Sequence, residues 1–175
     1  MKLLLVVLIA AALTACAAGP SYDAAKTSEF SEANYAAAEK LMSSIAAVPI
    51  DRSIPILVAT MVNIDSMKQS SRFGRLISEQ LTTRLTQLGY HVVEMKLGDN
   101  VYVREGTGEL LLSRDVQKLT KSYNVQLVLV GNYAVANEYT YLTLKAVTAA
   151  DNRVVSAVNY LQPITSNNRV MLTAP

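Results

Sequence analysis

Apolar positions along this chain change their period several times, and each change marks a different element. Over residues 24–47 the positions Phe30, Ala33, Ala37, Leu41 and Ile45 recur at three- and four-residue steps, the spacing of one helix face. The stripe is narrow and its residues are mostly small. It predicts a helix that docks on the rest of the chain or packs against a partner helix. Residues 56–62 are apolar on both faces, which predicts a strand in a sheet covered from both sides. Ser70 or Ser71 can cap the next helix. Its face is Phe73, Leu76, Ile77, Leu81, Leu85 and Leu88, a 3.6-residue pattern, and Gly89 stands where a left-handed terminating residue belongs. Residues 90–95 read as a second strand and 101–103 as a short one, followed by a turn at Gly106-Thr107-Gly108. Ser113 and Asp115 suit the first turn of a helix running to about Tyr123. Residues 126–130 form another buried strand. Residues 139–147 and 154–161 read as an antiparallel meander turning at Asp151-Asn152.

The element order is therefore a helix followed by β-α-β-α-β-β-β. Two crossover helices imply a parallel core of three strands, and the last two strands add as hairpins. The expected fold class is α/β, with a mixed sheet in a three-layer-like arrangement. The main domain spans 56–163. The segment 164–175 is rich in Asn and Ser and is expected to be a loose tail.

The N-terminus follows another logic. Lys2 precedes an apolar run over residues 3–13, and small residues then lead to Cys16. That order is an export signal over residues 1–15, and the run is shorter than the roughly 20 apolar residues that span a bilayer. Leu13-Thr14-Ala15-Cys16 resembles the lipobox of bacterial lipoproteins. The resemblance implies cleavage after Ala15, a covalent lipid on the Cys16 sulfur and acylation of the new N-terminus. Cys16 is the only cysteine in the chain, so no internal disulfide can form and a lipid gives the thiol its role. Residues 16–23, with Gly19-Pro20, form a short lipidated tether. In enterobacterial-type lipoproteins an Asp after the cysteine favours retention in the inner membrane. Here Ala17 follows, which favours the outer membrane, with the domain on its periplasmic face.

Charge narrows the function classes. Of 16 basic residues only Lys2 lies in the signal, so the remainder nearly balances the 14 acidic ones. A nucleic-acid binder carries a basic excess, and none is expected here. The single histidine, His91, has no companion that would make a catalytic or metal site, and it reads as a surface or structural residue. After Gly108 come Glu109 and Leu110, where a phosphate-binding loop needs Lys and Ser or Thr. No pair of carboxylates stands out by spacing. No catalytic residue, metal ligand, small-molecule substrate or cofactor is expected, beyond the lipid on Cys16. Arg104, Glu105, Glu109, Arg114 and Asp115 form the densest charged segment, which reads as ion pairs and caps or as a partner-contact surface. Tyr139 and Tyr141 share one strand face, and Tyr is common at interfaces. They read as a docking ridge, unless the N-terminal helix covers them.

Four stretches resemble one family: Ser70-Ser71-Arg72-Phe73-Gly74-Arg75, Val93-Glu94-Met95-Lys96, Gly108-Glu109-Leu110-Leu111-Leu112-Ser113-Arg114-Asp115 and Val128-Leu129-Val130-Gly131-Asn132-Tyr133. Together they look like the FlgO-type domain, named for an outer-membrane lipoprotein of the sheathed polar flagellum, and the similarity covers about 56–163. Leu110 stands where the family favours an aromatic, and Asn132 where it favours Thr. The layout is also similar to the N-terminal domain of TolB. The resemblance implies a non-enzymatic lipoprotein scaffold with protein partners in the envelope, among them flagellar basal-body proteins. An adaptor of another envelope assembly, such as secretion or surface-polymer export, is the alternative.

Overall fold

The computed structural model describes residues 29–45, 49–66, 70–94, 104–106, 109–111 and 120–173. The signal, Cys16, the tether, the expected strand over 101–103, Arg114 and most of the helix expected after Ser113 lie outside the described residues. Residues 120–122 are helical.

The chain enters through helix α1 (Glu29–Ser43). Strand β1 (Ile56–Val58), strand β2 (Val62–Asn63), helix α2 (Arg72–Gln87) and strand β3 (Val92–Glu94) follow. A hairpin of β4 (Arg104–Gly106) and β5 (Glu109–Leu111) forms a separate two-stranded sheet. Long strands β6 (Leu127–Val135), β7 (Tyr139–Thr148) and β8 (Val154–Pro163) complete the main sheet, and helix α3 (Ser166–Thr173) closes the chain. The main sheet has the order β3-β1-β6-β7-β8, with β2 also paired to β6. β1 is parallel to β3 and to β6, while β7 is antiparallel to both β6 and β8. The parallel core of three strands and the terminal meander are thus as the apolar periods imply, and the fold is mixed α/β.

The expected strand over 56–62 is two short strands with a break between them. At the break the Met61 backbone leaves the ladder and is satisfied by Ser78 of α2 and by Ser70 just before that helix. Its N–H donates to Ser78 Oγ at 2.9 Å and its carbonyl accepts from Ser70 Oγ at 2.8 Å. Gly74 lets α2 approach this closely, because a Cβ there would overlap the Met61 carbonyl oxygen. Met61's own side chain lies over Gly131 on β6, where a Cβ would overlap its sulfur.

α2 begins and ends as its sequence predicts. Ser71 is the N-cap, its hydroxyl accepting from the Gly74 N–H at 3.2 Å. At the other end Gly89 has φ +82. The Gly89 N–H donates to the Thr86 carbonyl and the Tyr90 N–H to the Leu85 carbonyl, the paired bonds of a Schellman motif.

Helices α1 and α2 lie on one face of the sheet over the larger core, which includes Leu41, Phe73, Ile77, Leu81, Leu85, Leu127, Leu129, Tyr133, Leu142 and Leu144. Alternate residues of the same strands, Leu57, Val128 and Val130, join Val125 and Val147 in a smaller cluster on the opposite face. The tail is a correction. Residues expected to be loose form α3, whose Met171 and Leu172 pack against the main core. The Thr165 N–H donates to Asn168 Oδ1 at 2.7 Å and the Asn168 N–H to Thr165 Oγ1 at 3.3 Å. This reciprocal cap works like a capping box with Asn in place of Glu or Gln, which is why the usual sequence signature misses it.

Candidate functional site

α1 docks on its own domain, which settles the two readings of its narrow stripe. Ala37, Ala38, Leu41 and Met42 are buried, and the small alanines let the helix axis come close to its neighbours. The Arg84 guanidinium of α2 pairs with Glu39 at the rim of this contact. At its centre sits a polar residue, Asn34, fully buried. Asn34 Nδ2 donates to Gln80 Oε1 of α2 at 2.6 Å. Asn34 Oδ1 accepts from Tyr160 Oη at 2.7 Å and from Gln162 Nε2 at 3.1 Å, both on β8. Gln162 Nε2 also donates to the Phe30 carbonyl at 2.9 Å. Burial pushes the Tyr160 hydroxyl well above the ordinary pKa of 10.0, so it remains a neutral donor at physiological pH. Sequence periodicity treats Asn34 and Gln162 as surface positions, because the pattern assigns polar residues to the outside.

Beneath this seam Phe73 stands edge-on between Phe30 and Tyr133, with ring centroids 5.6 and 5.3 Å away. The Tyr133 hydroxyl reaches Ser71 Oγ at 2.6 Å. Tyr133 is buried and takes no part in a surface. Ser71→Ala should therefore remove a helix cap and strand a buried phenol. The expected cost is about 2 kcal/mol or more, read from urea unfolding. Adding Tyr133→Phe to it should recover part of that loss.

The face of β7 and β8 turned away from α1 is different. Tyr139, Tyr141 and Leu161 are 43%, 53% and 49% exposed. Tyr141 lies directly across from Leu161 on β8 and from Ala134 on β6. α1 covers the other side of these strands, so the tyrosine ridge stays open. Leu161 joins it without having been singled out by the sequence. Arg104, Glu105 and Glu109 lie on the β4–β5 hairpin, where Glu105 pairs with Leu110 and Gly106 with Glu109. The hairpin belongs to its own sheet, so the structure does not join these residues to the tyrosines by strand pairing. Arg114 lies outside the described residues. His91 is exposed at the start of β3. Among the described residues no group of His, Cys, Asp and Glu could hold a metal ion, and no helix is long and apolar enough to cross a membrane.

The fold is a small mixed α/β domain with an open tyrosine ridge. A family model described as FlgO protein matches residues 35–167, and the chain belongs to that family. The match reaches back into α1, further than the four sequence motifs do. Among solved structures, the LpoB C-terminal domain from Salmonella enterica is similar, at 12% identity and a TM-score of 0.54, covering 77% of this chain and 98% of that one. The LpoB C-terminal domain from Escherichia coli is similar at 11% identity and a TM-score of 0.54, with the same coverage of 77% and 98%. At such identities the likeness shows the fold. Comparison with curated proteins gives no match. Membership of the FlgO family supports an accessory, lipoprotein-type role at the cell envelope.

Proposed function

We propose that this chain is a non-catalytic, lipid-anchored accessory protein of the bacterial outer membrane, exposed to the periplasm and serving the flagellum. The carrying observation is the family match over residues 35–167, placed downstream of Leu13-Thr14-Ala15-Cys16. The mechanism is anchored scaffolding. A lipid on Cys16 holds the domain at the membrane, and the folded domain offers contact surfaces to proteins assembled beside it. Two surfaces are candidates: the open face of Tyr139 and Tyr141, and the charged segment of Arg104, Glu105, Glu109 and Arg114.

Deletion of the gene should impair spreading in soft agar and leave flagella fewer or abnormal in electron micrographs, with recovery on complementation. Normal motility with normal flagella would remove the flagellar assignment. Capture of secretion or polymer-export proteins from envelope extracts, without flagellar ones, would move the same anchored scaffold to another machine.

A further inference from the structure

The exposed apolar side chains are not spread evenly. Eight large hydrophobic residues are exposed among the described residues. Five of them, Ile64, Val135, Tyr139, Tyr141 and Leu161, belong to one end of the sheet, so the clustering needs a cause. At this end β6 and β8 finish and β7 begins, as the pairs Val135 with Thr140 and Tyr139 with Pro163 record. Ile64 is held there by its N–H bond to the Tyr133 carbonyl at 3.0 Å.

The same end is where the chain enters the domain. α1 runs antiparallel to β8: the Phe30 carbonyl accepts from Gln162, Asn34 meets Tyr160, and the Leu41 carbonyl accepts from Ser156. The first turn of α1 is therefore beside the end of β8. Twelve residues separate Cys16 from Glu29, a reach of at most about 40 Å. The opposite end of the domain, where His91 and the Asp151-Asn152 turn lie, is further from the start of α1 by the length of that helix, about 22 Å. An anchor on Cys16 therefore joins the domain at its apolar end.

Side-chain chemistry agrees with that placement. Tyrosine has an apolar ring and a polar tip, and it is enriched where membranes meet water. The charged side chains next to the patch in sequence, Asp65 and Glu138, are acidic and exposed, so the patch itself offers an apolar contact and no basic one.

We infer that the end of the sheet bearing Ile64, Val135, Tyr139, Tyr141 and Leu161 rests on the phospholipid surface to which the chain is anchored. The inference depends on the lipid anchor proposed above. It fixes the domain's orientation and leaves the β4–β5 hairpin as the surface for a protein partner.

The test uses the full mature lipoprotein in phosphatidylethanolamine–phosphatidylglycerol vesicles with brominated acyl chains. Tyr141→Cys, Leu161→Cys and, at the far end, His91→Cys each carry an environment-sensitive fluorophore. The Cys16 sulfur is blocked by its lipid, so the new thiol alone is labelled. With the protein co-floating, the labels at positions 141 and 161 should lose roughly half or more of their emission, since an interfacial side chain sits about 5–10 Å into the headgroup boundary. The label at position 91 should lose none, and high salt should change neither result. Co-flotation without quenching at 141 and 161 overturns the inference and leaves the anchor standing. Shielding of those labels from aqueous iodide without lipid quenching, together with a crosslinked dimer, gives the face to a second copy and also overturns it. Failure to co-float removes the anchor, and the inference with it.

Discussion

Cys16→Ser should abolish labelling by palmitate and move the protein from the membrane pellet to the soluble fraction, or leave it unprocessed. The expected effect is close to all-or-none. Each buried lipid CH₂ contributes about 0.8 kcal/mol, one acyl chain gives only reversible binding, and stable anchoring takes two signals. The lipoprotein resemblance implies three chains on one residue, so removing the sulfur removes the whole anchor at once. With no other cysteine in the chain, no neighbouring thiol can take over. Metabolic labelling with a palmitate analogue followed by fractionation reads both effects. A palmitate-labelled Cys16→Ser protein would show that the lipobox reading is wrong. Any membrane contact through Tyr139, Tyr141 and Leu161 is too small to substitute, so Cys16→Ser tests the anchor alone.

Phe73→Ala should cost about 3–5 kcal/mol, a large share of the roughly 5–15 kcal/mol by which a domain of this kind is stable. Phe73 is fully buried and is the ring that touches both Phe30 on α1 and Tyr133 on β6. Its loss opens a cavity among three elements that are held elsewhere by hydrogen bonds, so they cannot collapse into it. Urea unfolding should shift its midpoint sharply downward with little change in slope. A shift of less than about 1 kcal/mol would mean that α1 packs less tightly on α2 and β6 than the ring contacts indicate. Phe73→Leu should retain most of the stability, because it returns most of the lost volume.

The large features were legible because they rest on long apolar periods. The α2 stripe, its Ser71 cap and its Gly89 terminus need only local sequence. So do the doubly apolar strands β1 and β6, and the Asp151-Asn152 turn. Three things were not legible, each for a definite reason. The break at Met61 depends on Ser70, Ser78 and Gly74 taking over its backbone groups, a tertiary event that an apolar run does not record. The buried seam of Asn34, Tyr160 and Gln162 inverts the rule that polar means outside. Leu161 was hidden by the register shift between Ala146 and Val147. Carried up from the turn without that shift, Tyr141 would pair with Tyr160. The ridge would then gain a tyrosine that is in fact mostly buried and lose the leucine that is exposed.

Asn34 has a consequence that concerns uniqueness more than strength. A helix whose buried face is largely alanine and leucine can slide by a turn along an apolar floor at little cost, since every register buries similar area. Asn34 removes that freedom. Its amide finds Gln80 on one side and Tyr160 with Gln162 on the other in a single register. Displacement by a turn, about 5.4 Å, would strand several buried polar groups at about 1–3 kcal/mol each. One side chain thereby acts as an index pin. It sets the point on the domain where the preceding chain enters, and with it the direction from which the proposed anchor would pull.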